Sequence, residues 1–341
     1  MNENPNAPTE AEVLRAGEQL RVLRDTLNQA LFGQEELVDQ VITGLLARGH
    51  ILLEGLPGLG KTELVKALGK ALELDARRIQ FTPDLLPGDI TGNPMLQDVD
   101  GQRRFIFQRG PLFANLVLAD EINRASPKTQ SAMLEAMQER RVTAMGESHA
   151  LPDPFFVLAT QNPIELEGTY PLPEAQLDRF LFKLNVHVGR ADVLERIVNH
   201  RRLGEEPAVP RVWSRAELGN LIALAGRIYL PGVVANYIAR LVDATHPGNS
   251  AAATSVKYGA SPRAAIGLAA GARARALLHG RMNASFEDVK AISTAVLQHR
   301  LVLDYPAKLE GKTGALIVAE LLKEIPTQDR ALPGTLKNAT A

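Results

Sequence analysis

Gly55-Leu56-Pro57-Gly58-Leu59-Gly60-Lys61-Thr62 fills every position of the pattern G-x-x-x-x-G-K-[ST]. The chemistry of that pattern is anion binding. Its glycines let the backbone curl until successive N–H groups converge on one phosphate cluster. A helix starting at the last glycine turns the positive end of its dipole toward the same anion. Lys61 can then reach the β- and γ-phosphates of a nucleoside triphosphate, and the Thr62 hydroxyl can ligate Mg²⁺. Glu63, the next residue, is grouped with the nucleotide contacts. A second half-site follows where the apolar run Leu116-Val117-Leu118-Ala119 meets Asp120-Glu121. At the carboxyl end of a strand beside such a loop, Asp120 would hold the hydrated Mg²⁺. Glu121 would polarise the attacking water as general base. Either acid alone could simply end a buried strand; the pairing with the glycine-rich loop gives the catalytic reading.

These residues need strands and helices to position them. His50–Glu54 reads as a short apolar strand, followed by the glycine-rich turn and a helix over Thr62–Leu72. Further strands are predicted at Arg78–Phe81, Asn115–Ala119, Phe155–Thr160 and Leu181–Val186. All are short and apolar, as strands covered on both faces should be. Helices between them predict a parallel, three-layer α/β sheet. Two hairpins interrupt this rhythm. One turns at Asp98-Val99-Asp100-Gly101 between Thr91 and Arg109, and the other near Met145-Gly146 between Arg141 and Leu151. Met133 and Met137 share a helical face and read as core.

Around the strands the pattern is helical. Val13–Ala30 and Glu35–Arg48 precede them, and after Arg190 the strands stop. Helices are predicted over Ala191–Leu203, Ser214–Arg227, Pro231–Thr245, Pro262–Leu278, Ser285–Gln298 and Gly311–Leu322, with Gly204–Pro210 as a linker. The division is a disordered tail over 1–12, an α/β core over 13–190 and a helix with linker over 191–214. A small all-helical domain over 215–330 and a loose tail over 331–341 complete it.

Composition narrows the function classes. A net charge of −1 on 341 residues argues against a phosphate-coating nucleic-acid binder, which would be markedly basic. The chain has no cysteine, which excludes disulfides and thiolate metal sites and fits a reducing cytoplasm. No stretch approaches the roughly 18 apolar residues of a membrane helix. The histidines are scattered without metal-binding spacing, so the only metal expected is Mg²⁺.

Longer motifs make the pattern specific. They are Phe81-Thr82-Pro83-Asp84-Leu85-Leu86-Pro87-Gly88-Asp89-Ile90-Thr91-Gly92 and Ala119-Asp120-Glu121-Ile122-Asn123-Arg124-Ala125, followed by Ala159-Thr160-Gln161-Asn162-Pro163. Tyr170-Pro171-Leu172-Pro173-Glu174-Ala175-Gln176-Leu177-Asp178-Arg179-Phe180 completes the set. Together they resemble the MoxR family of AAA+ ATPases, from about Phe32 to past Arg263. The resemblance implies a five-stranded core with a helical lid, and a ring of copies, commonly a hexamer. It implies that the hairpins are the helix-2 insert and the pre-sensor hairpin of that clade. Asn162 falls at sensor 1, where an amide orients the lytic water or contacts the γ-phosphate; the alternative is an Asn-Pro turn. Arg179 falls at the arginine finger that reaches a neighbour's nucleotide; the alternative is an ion pair with Asp178 or Glu174. Arg263 falls at sensor 2. As a cation opening a helix behind Pro262 it calls for an anionic partner such as the γ-phosphate, and the alternative is a solvated side chain. Gln34 falls beside the adenine.

The resemblance also bears on use. It implies ATP turnover that remodels or matures a protein client, often with a partner carrying a von Willebrand factor A domain. Near-neutral charge favours this over a nucleic-acid translocating motor, for which Arg103 and Arg104 at the first hairpin are the only candidate contacts. Glu121, Asn162 and Arg179 together disfavour a non-hydrolysing scaffold.

Overall fold

A computed structural model describes residues 7–55, 58–99, 102–162, 168–186, 191–200, 202 and 208–327. Leu56 and Pro57 of the loop, Pro163 after Asn162, the Asp100-Gly101 tip, most of the Gly204–Pro210 linker and the loose tail lie outside these residues.

The chain opens with α1 (Glu10–Ala30) and α2 (Glu35–Leu46). Apolar spacing puts the first helix at Val13, but it begins at Glu10, so residues 10–12 are not tail. Thr9 caps it reciprocally with Glu12, a T-x-x-E signature that apolar counting overlooks. Then follow β1 (Ile51–Glu54), α3 (Lys61–Ala71), β2 (Ala76–Gln80), α4 (Pro87–Thr91), β3 (Gly92–Val99) and β4 (Gln102–Arg109). Next come β5 (Leu116–Asp120), α5 (Pro127–Glu139), β6 (Arg141–Ala144), β7 (Glu147–Ala150), β8 (Phe156–Gln161), α6 (Glu174–Leu177), β9 (Phe182–Asn185) and α7 (Ala191–His200).

The main sheet has strand order β2-β5-β8-β1-β9 and is parallel throughout. Its strands read as apolar runs because both faces are covered. Ile51, Leu53, Leu116, Leu118, Phe156 and Leu158 belong to one buried cluster with α1 to α3 and the later helices. The alternating residues Leu52, Val117, Ala119, Val157 and Ala159 belong to a second cluster with Met133, Leu134 and Met137 of α5. Order decides function here. β1, β8 and β5 are consecutive neighbours, so the loop after β1, Asn162 after β8 and Asp120-Glu121 at the end of β5 emerge side by side.

Both hairpins stand apart from that sheet. β3 pairs with β4 from Gly92↔Arg109 to Val99↔Gln102. β6 and β7 are joined by Met145 and Gly146 at φ 53° and 79°, the positive values of a type I′ turn.

The remaining helices are α8 (Arg215–Arg227), α9 (Gly232–Asp243), α10 (Pro262–Leu278), α11 (Phe286–Leu297), α12 (Tyr305–Leu309) and α13 (Gly314–Glu324). One expectation fails. This part is not all helical, because β10 (Val256–Tyr258) pairs antiparallel with β11 (Val302–Leu303). Strands of three and two residues carry no usable period-2 signal. The last helix starts at Gly314 rather than Gly311, since Gly311 sits at φ 76° and Thr313 supplies the cap.

Candidate functional site

Lys61 starts α3 immediately after Gly60, which is left-handed at φ 80° as Gly58 is at φ 82°. A Cβ on Gly58 would meet nothing within 4 Å, so the loop is open on that side. The Lys61 Nζ donates to the Gly55 carbonyl at 2.8 Å, curling the side chain back over the loop. Burial pushes its ammonium below the ordinary lysine value, while the charges of Asp120 and Glu121 pull it back up. Leu59 is partly buried and packs on the main core, anchoring the loop from below.

Asp120 ends β5 and Glu121 follows in left-handed backbone at φ 56°, ψ 49°. That conformation costs a residue with a β-carbon about 1–2 kcal/mol. It turns the Glu121 carboxylate off the strand direction and into the cavity. Thr160, on neighbouring β8, fixes both acids with one hydroxyl. It donates to Asp120 Oδ1 at 2.6 Å and accepts the Glu121 backbone N–H at 2.9 Å. Arg78 on β2 donates to Asp120 Oδ2 through Nη2 at 2.6 Å and Nε at 3.1 Å. Glu121 Oε2 accepts from Gln80 Nε2 and Arg124 Nη1, both at 2.9 Å.

Gly58, Lys61, Thr62, Glu63, Arg78, Asp120, Glu121 and Asn162 line one cavity of 190 Å³. Loop, acids and amide are therefore brought together. Thr160, Arg78, Gln80 and Arg124 are the residues that sequence reading missed. Arg78 and Gln80 share a face of β2 by period-2 spacing, but their partners depend on β2 lying beside β5.

Three expected residues lie elsewhere. Gln34 lines a second, larger cavity of 680 Å³ with Lys183, Asn185, Val193, Thr294 and Gln298, between α2, β9, α7 and α11. Arg179 donates through Nη1 to the Leu134 carbonyl of α5 at 3.0 Å. Arg263 donates through Nη1 to Asp178 Oδ2 at 3.0 Å, so the anion its helix-start position calls for is Asp178 in this structure. Neither arginine lines the 190 Å³ cavity.

The comparisons with known proteins agree with this architecture. Residues 50–182 match the family described as "ATPase family associated with various cellular activities (AAA)", and residues 248–321 match the AAA lid domain. Fold and loop thus define an AAA+ ATPase. Chaperone MoxR1 of Mycobacterium tuberculosis is 40% identical over 335 residues, covering 93% of this chain and 88% of that protein. Protein MoxR of Methylorubrum extorquens is 30% identical, covering 87% and 90%. A crystal structure from Cytophaga hutchinsonii superposes with a TM-score of 0.86 at 37% identity, covering 93% of this chain and 97% of that one. The chain belongs to the MoxR family of AAA+ ATPases. No helix among the described residues is long and apolar enough to cross a membrane.

Proposed function

We propose that this chain hydrolyses ATP with Mg²⁺ at a site shared between adjacent copies of a ring, hexameric by family habit, and uses turnover to remodel a protein client in the cytoplasm. One observation carries the shared site. The cavity holds Lys61, Thr62, Asp120, Glu121 and Asn162, whereas Arg179 on the Leu134 carbonyl and Arg263 on Asp178 lie outside it. Gly55 to Thr62, with Glu63, cradle the phosphates. The Thr62 hydroxyl and the Asp120 carboxylate are hard oxygen donors of the kind Mg²⁺ takes alongside phosphate and water, so the residues fit that ion. When bound, it neutralises charge developing on the transferred phosphoryl group. Glu121 accepts the proton of the lytic water and Asn162 orients that water. Arg179 serves the neighbouring copy's γ-phosphate, Arg263 at the start of α10 is the sensor 2 cation for a γ-phosphate, and Gln34 places the adenine in the larger cavity.

A protein client suits the β3–β4 hairpin, which exposes Met95, Leu96 and Phe105. Arg103 lies opposite the acidic Asp98 in the register and Arg104 donates to Gln102, so the hairpin is not a purely basic surface. A partner bearing a von Willebrand factor A domain would deliver the client. ATPase rate against protein concentration, with and without DNA, tests the reading. Specific activity should rise with concentration and ignore DNA. Concentration-independent activity would sink the shared site, and strong stimulation by DNA would establish the nucleic-acid motor instead.

A further inference from the structure

Arg300 lies just beyond α11 and takes no part in the cavity, yet its side chain is only 2% exposed. Burying a guanidinium is costly unless its donors are met. Here all of them are. Nε donates to Asp178 Oδ1 at 2.8 Å, and Nη2 donates to the carbonyls of Asp178 at 3.2 Å and Phe180 at 2.7 Å. Nη1 donates to the Leu181 carbonyl at 3.2 Å and to the Val296 carbonyl of α11. His299 adds a contact from Nε2 to the Phe180 carbonyl at 3.1 Å.

The residue between those anchored carbonyls is Arg179. Its own backbone N–H reaches only the Gln176 carbonyl, at 3.2 Å, and its guanidinium rests on Leu134. The chain on either side of Arg179 is therefore held by the lid, through one planar fork. The other Asp178 oxygen accepts from Arg263 Nη1, and Ser261 donates to the same carboxylate, both at the start of α10. Two lid helices thus converge on the segment that carries Arg179.

Resting on the shared-site reading above, we propose that Arg300 is a positioning residue for Arg179, tying the aim of the arginine offered to the neighbour to the seat of this copy's own lid. α11 also lines the 680 Å³ cavity through Ala291 and Thr294, as does its C-cap Gln298. A shift of the lid about that cavity moves Arg300, and with it the carbonyls on both sides of Arg179.

Arg300→Lys tests this, because lysine keeps the charge but has three donors and no fork. The variant should bind nucleotide as the parent does. Its kcat should fall about 10- to 100-fold with KM unchanged, the scale of an ångström-sized misplacement of a catalytic group. Mixed with Lys61→Ala copies, which lack a pocket but keep a seated Arg179, it should regain activity. Mixed with Arg179→Ala copies it should not, since both are deficient on the same side. Recovery with Arg179→Ala copies would overturn the inference. So would failure with Lys61→Ala copies while the control mixture of Arg179→Ala and Lys61→Ala recovers. Failure of that control would overturn the shared site itself, and the inference with it. Should Arg300→Lys not assemble, Asp178→Asn weakens the same junction from the core side and must give the same complementation pattern; any other pattern overturns the inference.

Discussion

Thr160 holds two acids with a single hydroxyl, and that makes it a sharp probe of the cavity. Thr160→Val keeps the shape and strands Asp120 Oδ1 and the Glu121 N–H without that partner. We expect a stability loss of about 1–2 kcal/mol, read by denaturant unfolding. We expect kcat to fall roughly tenfold, since an ångström of displacement at a catalytic group costs up to about 100-fold. Glu121→Gln should bind ATP and turn over some 10²- to 10⁴-fold more slowly, the usual worth of a positioned base. Turnover at the parent rate would remove Glu121 from its role. Loop and acids were legible in the sequence because each is a contiguous motif. Thr160 sits in a quoted motif without a role, because the role exists only where β8 lies beside β5. The Arg78 contact likewise needs β2 next to β5, and no spacing along the chain encodes strand order.

At the scale of the element, the glycine-rich loop is set by backbone conformation more than by space. A Cβ at Gly60 would sit 3.4 Å from Leu31, an ordinary contact, but the backbone there is left-handed at φ 80°. Gly60→Ala should therefore keep the fold and weaken nucleotide binding as the first turn of α3 relaxes, by about 1–2 kcal/mol or roughly tenfold in Kd. Binding of a fluorescent nucleotide measures it. The long elements were legible from apolar period: α10 runs from Pro262 to Leu278, as the spacing predicts. What failed were a capping box at Thr9, the two shortest strands, and a C-terminal helix whose start is moved by a left-handed glycine. Each is settled by a few residues' local geometry, below the reach of a periodic signal.

The whole molecule carries a built-in acid sensitivity. His50 is buried between α5 and β8, with Nε2 on the Met137 carbonyl and Nδ1 accepting the Val157 N–H. Burial lowers its pKa from 6.5 to about 4, so the folded state holds the neutral ring. The unfolded chain binds a proton that the folded one refuses, so this stability is intact above pH 6.5. It is lost as pH falls toward 4, to a total of about 3 kcal/mol. His299 is shifted the same way by burial and adds with the same sign. Denaturant unfolding at stepped pH should show the fall, and His50→Gln should flatten it. A slope unchanged in that variant would assign the sensitivity elsewhere.

The β3–β4 hairpin has a consequence of its own. Met95 with Ile106 on one side of the hairpin, and Leu96 with Phe105 on the other, leave small unsheltered apolar faces on each copy. In the proposed client-remodelling role, one such face would grip an extended chain weakly and let go quickly. Arrayed around the proposed ring, the same face would become multivalent, and linked weak grips can exceed any single one by 10²- to 10⁴-fold. Avidity of this kind would read a client's length and looseness rather than its sequence. A folded protein, touching one hairpin at a time, would be ignored.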